Sequence, residues 1–393
     1  MLETIDHYNY NKSNVFVLML DASKAFDRVN YQKLFEELIK RDTSPIVLRL
    51  LLYMYKKQTL RLRWGHEMSD QFTVMNGVKQ GGVLSPILFA IYMDGLLKRL
   101  EDTGMGCHMG HRYAGALAYA DDLTLLSPSR SGLKILVEEC ERYADEFDII
   151  FNGSKSKLLF FKGRCCTPTQ RGIYVSDQMV NISITETHLG HSISSVDRSK
   201  IVKSASSTFW RNFNMFLSHF RLLSSFMKSK LLSQFCCSFY GAPLWHLKSS
   251  AVHSVCVDWR KALRSIWLLS PKTHCNIITS LSNQTPLMIS LEKRFINFIT
   301  KSLTSSSSIV SLISKIAICN PMSKTGCNYR NLLDCDGKLS IVTKLSTWKE
   351  TCSELFHSIS TVHELIDIRE SSKYCIGLPV AQINAFILDI CIH

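Results

Sequence analysis

Tyr119-Ala120-Asp121-Asp122 sits inside an otherwise apolar stretch running from Leu117 to Leu126. Two adjacent carboxylates thus fall where an apolar strand pair turns, a position that asks for a cation. Taken alone, Asp-Asp is also an ordinary turn or helix-cap dipeptide. A third acid changes the balance. Asp21 ends the run Val15-Phe16-Val17-Leu18-Met19-Leu20 and so projects from the tip of a buried strand. Three carboxylates at strand ends suit a divalent cation that prefers oxygen ligands, above all Mg²⁺. Phosphoryl transfer with two such ions roughly 3.5–4 Å apart requires acids that bridge both and leave positions open for water and phosphate oxygens.

The flanking periodicities predict how these acids meet. Leu34, Phe35, Leu38 and Ile39 mark the apolar face of a helix beginning near Tyr31. Ser85-Pro86 predicts a second helix, with Ser as N-cap and Pro at the first helical position, ending near Leu100 ahead of Gly104 and Gly106. A third carries Leu133, Leu136, Val137, Cys140, Tyr143, Ala144 and Phe147 on one side, and Leu158-Leu159-Phe160-Phe161 reads as a closing strand. Strand, helix, hairpin, helix, strand is a split βαβ arrangement. It lays the end of the first strand beside the central hairpin, so Asp21 can meet Asp121 and Asp122 from a hundred residues away.

Three segments in order carry a family resemblance: Asp21-Ala22-Ser23-Lys24-Ala25-Phe26-Asp27, Gly77-Val78-Lys79-Gln80-Gly81-Gly82-Val83-Leu84-Ser85-Pro86, and Tyr119-Ala120-Asp121-Asp122. They closely resemble motifs A, B and C of reverse transcriptases of the LINE-type, non-LTR retrotransposon branch. Phe151-Asn152-Gly153-Ser154-Lys155-Ser156-Lys157 resembles motif D, and His188-Leu189-Gly190-His191 the primer-grip motif E. The resemblance implies an α+β polymerase palm with a ferredoxin-like sheet over residues 1–198, a helical basic thumb over 199–270, and a C-terminal region of unreadable role over 271–393.

For the site, the resemblance implies that Asp21, Asp121 and Asp122 and the Ala22 carbonyl hold two Mg²⁺ ions, with Mn²⁺ as a substitute. It implies that Phe26 excludes a 2′-hydroxyl, although a core Phe at a strand-helix junction reads the same way. Gln80 and Gly81 would contact the nascent pair, and Lys155 would offset charge on departing pyrophosphate, with Lys157 as competitor. Asp27 reads as a local cap or a partner of Arg28. Gly82 departs from the Cys of many LINE-type enzymes. The implied partners are an RNA template, a DNA primer and deoxynucleoside triphosphates. Only fourteen residues precede Val15, so a fingers module is expected to be missing. Two other classes stay open: a remnant that binds nucleic acid without polymerising, and a viral RNA polymerase palm, disfavoured by Phe26 and by Tyr-Ala in front of Asp-Asp.

Charge agrees with a polyanionic partner. The formal net charge is +13, and residues 201–300 hold twelve Lys and Arg against Asp258 and Glu292, a local +10. Aromatic rings share that segment, but their helical spacing points to packing more than to base stacking. The fourteen cysteines include the adjacent pairs Cys165-Cys166 and Cys236-Cys237 and the scattered Cys319, Cys327 and Cys335, which form neither a disulfide framework nor a zinc pattern. No apolar run approaches the roughly 18 residues of a membrane span and no signal peptide is evident, so an intracellular protein without membrane contact is expected.

Overall fold

The computed structural model describes residues 1–163, 172–197, 199–320, 322–333, 340–341 and 343–350. The chain divides into two compact units, the second beginning at Asp197. Cys165, Cys166 and Cys335, and the C-terminal region past residue 350, lie outside the described residues.

The first unit opens with α1 (Leu2–Tyr10), β1 (Val15–Leu20), α2 (Tyr31–Lys40) and α3 (Pro45–Lys56). Two short ribbons follow, β2 (Thr59–Leu60) with β5 (Phe72–Thr73) and, between them, β3 (Arg63–Trp64) with β4 (Glu67–Met68). Then come α4 (Ser85–Asp102), the small hairpin β6 (His108–Met109) and β7 (Arg112–Tyr113), the hairpin β8 (Ala116–Tyr119) and β9 (Asp122–Ser127), α5 (Arg130–Glu146) and β10 (Lys157–Phe161). The unit closes with β11 (Ile173–Val175), β12 (Gln178–Val180), β13 (Ile182–Ser183), β14 (Thr185–His188) and β15 (His191–Ser194).

The main sheet has the order β13-β10-β1-β9-β8. β1 pairs antiparallel with β9 and β10, and β8 with β9. Numbered within the motif, the strands β10-β1-β9-β8 run fourth, first, third, second, the ferredoxin-like interleaving expected of a split βαβ. The fold is α+β. β1 is buried at all six positions because both faces of the sheet are covered. That is why it reads as an unbroken apolar run and not as an alternation. Phe16, Leu18 and Leu20 meet the helices, in one cluster with Leu34, Leu88, Leu96, Leu133, Leu136 and Tyr143. Val15, Val17 and Met19 face the other way, with Ile5, Leu126, Leu159, Phe161 and Ile193.

Polar ties fix α4 against α5 beneath the sheet. Tyr143 donates to the Tyr92 carbonyl at 2.6 Å, the Tyr92 hydroxyl donates to the Phe147 carbonyl, and Tyr143 stacks on Phe147 at 4.1 Å. Burial pushes the Tyr92 phenol up to about 12, so it stays a donor. Two expected details differ. Ser85 is the first residue of α4 and not its N-cap; Leu84 holds the cap position and the Ser85 hydroxyl donates to the Lys79 carbonyl instead. Ile39, assigned to the apolar face of α2, is exposed.

The second unit is helical: α6 (Lys200–His219), α7 (Ser225–Phe235), α8 (Ser250–Trp267), α9 (Cys275–Leu281), α10 (Leu287–Leu303), α11 (Ser308–Cys319) and α12 (Lys324–Leu332). Its core contains Phe209, Phe213, Phe216, Trp245, Trp259, Trp267 and Phe295, so most of the rings noted in the sequence are packing groups. Asn328 locks this core: its amide donates to the Trp245 carbonyl at 2.7 Å and its oxygen accepts from the Leu247 N–H at 2.9 Å. Cys107, Cys140, Cys236, Cys237, Cys256, Cys275, Cys319 and Cys327 are free thiols. Among the described residues no helix is long and apolar enough to cross a membrane.

Candidate active site

The site is built by strand register. Val17 faces Leu126, Met19 faces Thr124, and Leu20 faces Leu123 across the β1–β9 ladder. One step further, the same register sets Asp21 opposite Asp122. Side chains alternate along a strand, so Asp21 continues the face of Val17 and Met19, and Asp122 that of Leu126 and Thr124. Both acids therefore stand at the same end of the same sheet face. Tyr119 pairs with Asp122 across the β8–β9 hairpin, which leaves Ala120 and Asp121 as a two-residue turn with Ala120 at φ +52°. Asp121 is thereby held at the tip, beside Asp122.

Backbone bonds fix the approach of Asp21. Its N–H donates to Ser156 Oγ at 3.2 Å, and its carbonyl accepts from the Asn152 N–H at 2.8 Å. The Ser23 N–H donates to the Ile150 carbonyl at 2.8 Å, completing a bridge between Ala22 and Phe151. Asp21 and Ser23 thus use their backbone groups on the side of residues 150–156. By alternation the Ala22 carbonyl faces the opposite edge, toward the hairpin that carries Asp121 and Asp122.

Like charges shape the electrostatics. Partial desolvation, then Asp121 and Asp21, raise the Asp122 carboxyl above its ordinary value, while His188 works in the other direction. Lys155 Nζ lies 4.0 Å from Asp21 Oδ2 with both side chains well exposed, a pair worth at most about 1 kcal/mol. Among the described residues no three His, Cys, Asp or Glu side chains are gathered into a metal cage. Asp121 and Asp21 repel Asp122, and the exposed Lys155 beside Asp21 offsets little of that repulsion. The donor set still fits a divalent cation: carboxylates on adjacent strand ends with a backbone carbonyl on the same edge are hard oxygen ligands on rigid supports, and the open side leaves room for phosphate oxygens.

The two loops beside the acids are stitched together. The Gly77 N–H donates to the Val29 carbonyl and the Val78 N–H to the Phe26 carbonyl, each at 2.8 Å. Gly77 has φ +91°, and a Cβ there would lie 2.8 Å from the Asp27 carbonyl oxygen, so only glycine fits the seam. Gln80 Nε2 donates to Asp27 Oδ1 at 3.2 Å. Asp27 therefore holds Gln80, whereas Arg28 turns to the Asp148 carbonyl. Phe26 is half-buried and stacks on Phe89 at 4.6 Å, a rigid seat for one face of its ring. Gly81, at φ +75°, has open space around it. Asp21, Ala22, Asp121, Asp122 and Lys155 are thus brought to one end of the sheet, and Phe26, Gln80 and Gly81 line the adjoining loops.

Thr124 and His188 were missed by sequence reasoning. Thr124 is fully buried directly inward of Asp122, and its Oγ1 lies 3.4 Å from His188 Nε2. Burial lowers the His188 pKa, and Asp122 opposes that shift. The one available signal was the position of His188 in the motif E segment.

Residues 1–181 match the family model described as "Reverse transcriptase (RNA-dependent DNA polymerase)". The chain is 28% identical over 178 residues to the Pol polyprotein of the type-2 retrotransposable element R2DM from Drosophila melanogaster, covering 44% of this chain and 17% of that protein. It is 36% identical over 129 residues to the Pol polyprotein of a type-1 element R2 from Nasonia vitripennis, covering 32% of this chain and 12% of that one. The match thus spans less than a fifth of either relative. Among solved structures, an apo telomerase from Candida tropicalis aligns with a TM-score of 0.42 at 14% identity, over 79% of this chain and 55% of that chain.

Proposed function

Because residues 1–181 form a reverse transcriptase domain of the non-LTR retrotransposon kind, we propose that this chain extends a DNA primer on an RNA template, with Asp21, Asp121 and Asp122 as its catalytic acids. The supporting observation is the β1–β9 register, which sets Asp21 and Asp122 side by side at the end of one sheet face. In the reaction a primer 3′-hydroxyl displaces pyrophosphate from a deoxynucleoside triphosphate. When bound, two Mg²⁺ ions supply charge neutralisation at the reacting phosphate and lower the pKa of the attacking hydroxyl.

The remaining contributions come from the chain's own residues. Asp21, Asp121, Asp122 and the Ala22 carbonyl would hold the ions. The raised affinity of Asp122 for a proton comes first from partial desolvation and then from Asp121 and Asp21, and a divalent cation would relieve the repulsive part. Phe26, braced by Phe89, closes the sugar side of the pocket and disfavours a 2′-hydroxyl. Gln80, held by Asp27, and the unobstructed backbone at Gly81 receive the nascent pair. Lys155, near Asp21, offsets negative charge on the departing pyrophosphate. The basic second unit contributes phosphate contacts that position template and primer without reading sequence.

Primer extension on poly(rA)–oligo(dT) with Mg²⁺ and dTTP tests this, with Asp122→Asn as control. Product that requires Mg²⁺ and is lost in Asp122→Asn supports the proposal. Salt-sensitive binding of the hybrid with no product above that control selects the nucleic-acid-binding remnant instead.

A further inference from the structure

Helix α3 has an apolar side that the core does not use. Leu48, Leu51 and Tyr55 turn inward: Leu51 and Tyr55 are buried in the main cluster, and the Tyr55 ring lies 5.0 Å from that of Tyr31. At about 100° per residue, the opposite side carries Ile46, Val47, Leu50, Tyr53 and Met54. Ile46 is 73% exposed, Leu50 58%, Tyr53 59% and Met54 50%. A helix that is apolar all round belongs in an interior, and a contiguous apolar surface of this kind marks an interaction site. Among the described residues nothing covers it.

The chemistry of the stripe selects its occupant. Ile46, Val47, Leu50 and Met54 offer no hydrogen-bond donor, so phosphate oxygens laid along them would go unmatched. The borders are cationic. Arg49 and Lys56, a repeat of seven, run along one edge, and Lys57 closes the C-terminal end with its ammonium 4.8 Å from the Tyr53 ring centre. Residues 44–63 hold five basic side chains, Arg49, Lys56, Lys57, Arg61 and Arg63, and no acid. A second copy of the chain would set these charges against themselves. A nucleic acid would answer the charges and leave the aliphatic centre wet. An acidic amphipathic helix answers both.

We propose that the outer side of α3 is a docking surface on which a partner protein lays an acidic amphipathic helix. Partner residues at i, i+4 and i+7 meet Ile46, Leu50 and Tyr53, which have the same spacing, and Asp or Glu beside them meets Arg49 and Lys56. The twelve residues of α3 make a seat about 18 Å long, enough for three turns of the partner. None of these residues belongs to the strand ends or loops of the candidate active site, so docking is measured apart from primer extension and stands whether or not the chain polymerises.

The probe is a fluorescein-labelled peptide of about 18 residues, long enough to hold a helix, with Leu at i, i+4 and i+7 and Glu on its flanks; a second peptide has Lys for every Glu. Fluorescence anisotropy with the full chain should show saturable binding of the Glu peptide. Binding should weaken at least about tenfold in Leu50→Ser/Tyr53→Ser, the loss of two apolar anchors. The Lys peptide should bind at least about tenfold more weakly than the Glu peptide, and Arg49→Glu/Lys56→Glu should reverse that preference. Because the replaced side chains are exposed, both variants should keep the wild-type urea midpoint. No binding, or equal binding to the Ser variant, overturns the proposal. Equal binding of the two peptides overturns the acidic partner. A wild-type dimer in sedimentation that the Ser variant loses assigns the face to a second copy instead. Poly(rA)–oligo(dT) that displaces the peptide and binds the Ser variant more weakly assigns it to nucleic acid. A lowered urea midpoint in the Ser variant shows the face already packed within this chain, and overturns the proposal as well.

Discussion

Replacing Gly77 with Ala tests the seam between the two loops that flank the acids. The added Cβ would stand 2.8, 2.9 and 3.0 Å from the O, Cα and C atoms of Asp27. These are backbone atoms, so no side chain can swing aside. The φ of +91° adds the penalty of left-handed backbone, about 1–2 kcal/mol for a residue with a Cβ. Relieving the overlap means parting the loops and weakening the two bonds to Val29 and Phe26, about 0.5–1.5 kcal/mol each. Together these predict a loss of about 2–5 kcal/mol for Gly77→Ala in urea or guanidinium unfolding. Gly81→Ala is the internal control. Its φ is +75°, but a Cβ there meets nothing within 4 Å, so it should cost only the backbone penalty of about 1–2 kcal/mol. Equal losses at the two positions, or a Gly77→Ala protein within about 1 kcal/mol of wild type, would refute the claim that contact with Asp27 dictates glycine.

Three further outcomes are expected. Burial raises the Glu37 pKa, but hydrogen bonds and charge from Lys40 and Arg41 outweigh it and leave the carboxyl below its ordinary 4.5. Its stabilisation is therefore full above that value and disappears as the pH falls through the lower, folded-state pKa, so Glu37→Gln should flatten the acid limb of stability between about pH 5 and 3 in urea melts. Asn328→Ala leaves the Trp245 carbonyl and the Leu247 N–H without their buried partner and should cost about 2–4 kcal/mol by the same measurement. EDTA should abolish primer extension while leaving the far-ultraviolet circular dichroism of the chain unchanged, because β1 and β9 are held by their ladder and core and need no cation to pair.

The palm was legible because its strongest signals are local. An apolar hexapeptide ending in Asp21 and an apolar hairpin broken by Asp121-Asp122 each announce themselves within ten residues, and the periodicity of α5 needs no partner to be read. The split βαβ order then followed from element sequence. Contacts between distant segments were not legible. Asp27 has an adjacent arginine that suggested a local pair, but the loop seam places Gln80 at its carboxylate. Ser85 had the chemistry of an N-cap, yet a carbonyl from the preceding loop claims its hydroxyl. Thr124 and His188 are 64 residues apart, and neither type suggests the other. The short ribbons β2–β5 are two-residue pairings without enough apolar alternation to stand out.

The interleaved sheet also sets the timetable of synthesis. Phe16 pairs with Phe160 and Val17 with Leu126, so the most hydrophobic segment of the palm leaves the ribosome long before either neighbour exists. At roughly 5–20 residues per second, the roughly 140 residues separating β1 from β10 take about 7–30 s to emerge. Until β9 follows about 100 residues later, an unpaired apolar hexapeptide is open to misassociation, and a nascent-chain chaperone would find its natural client there.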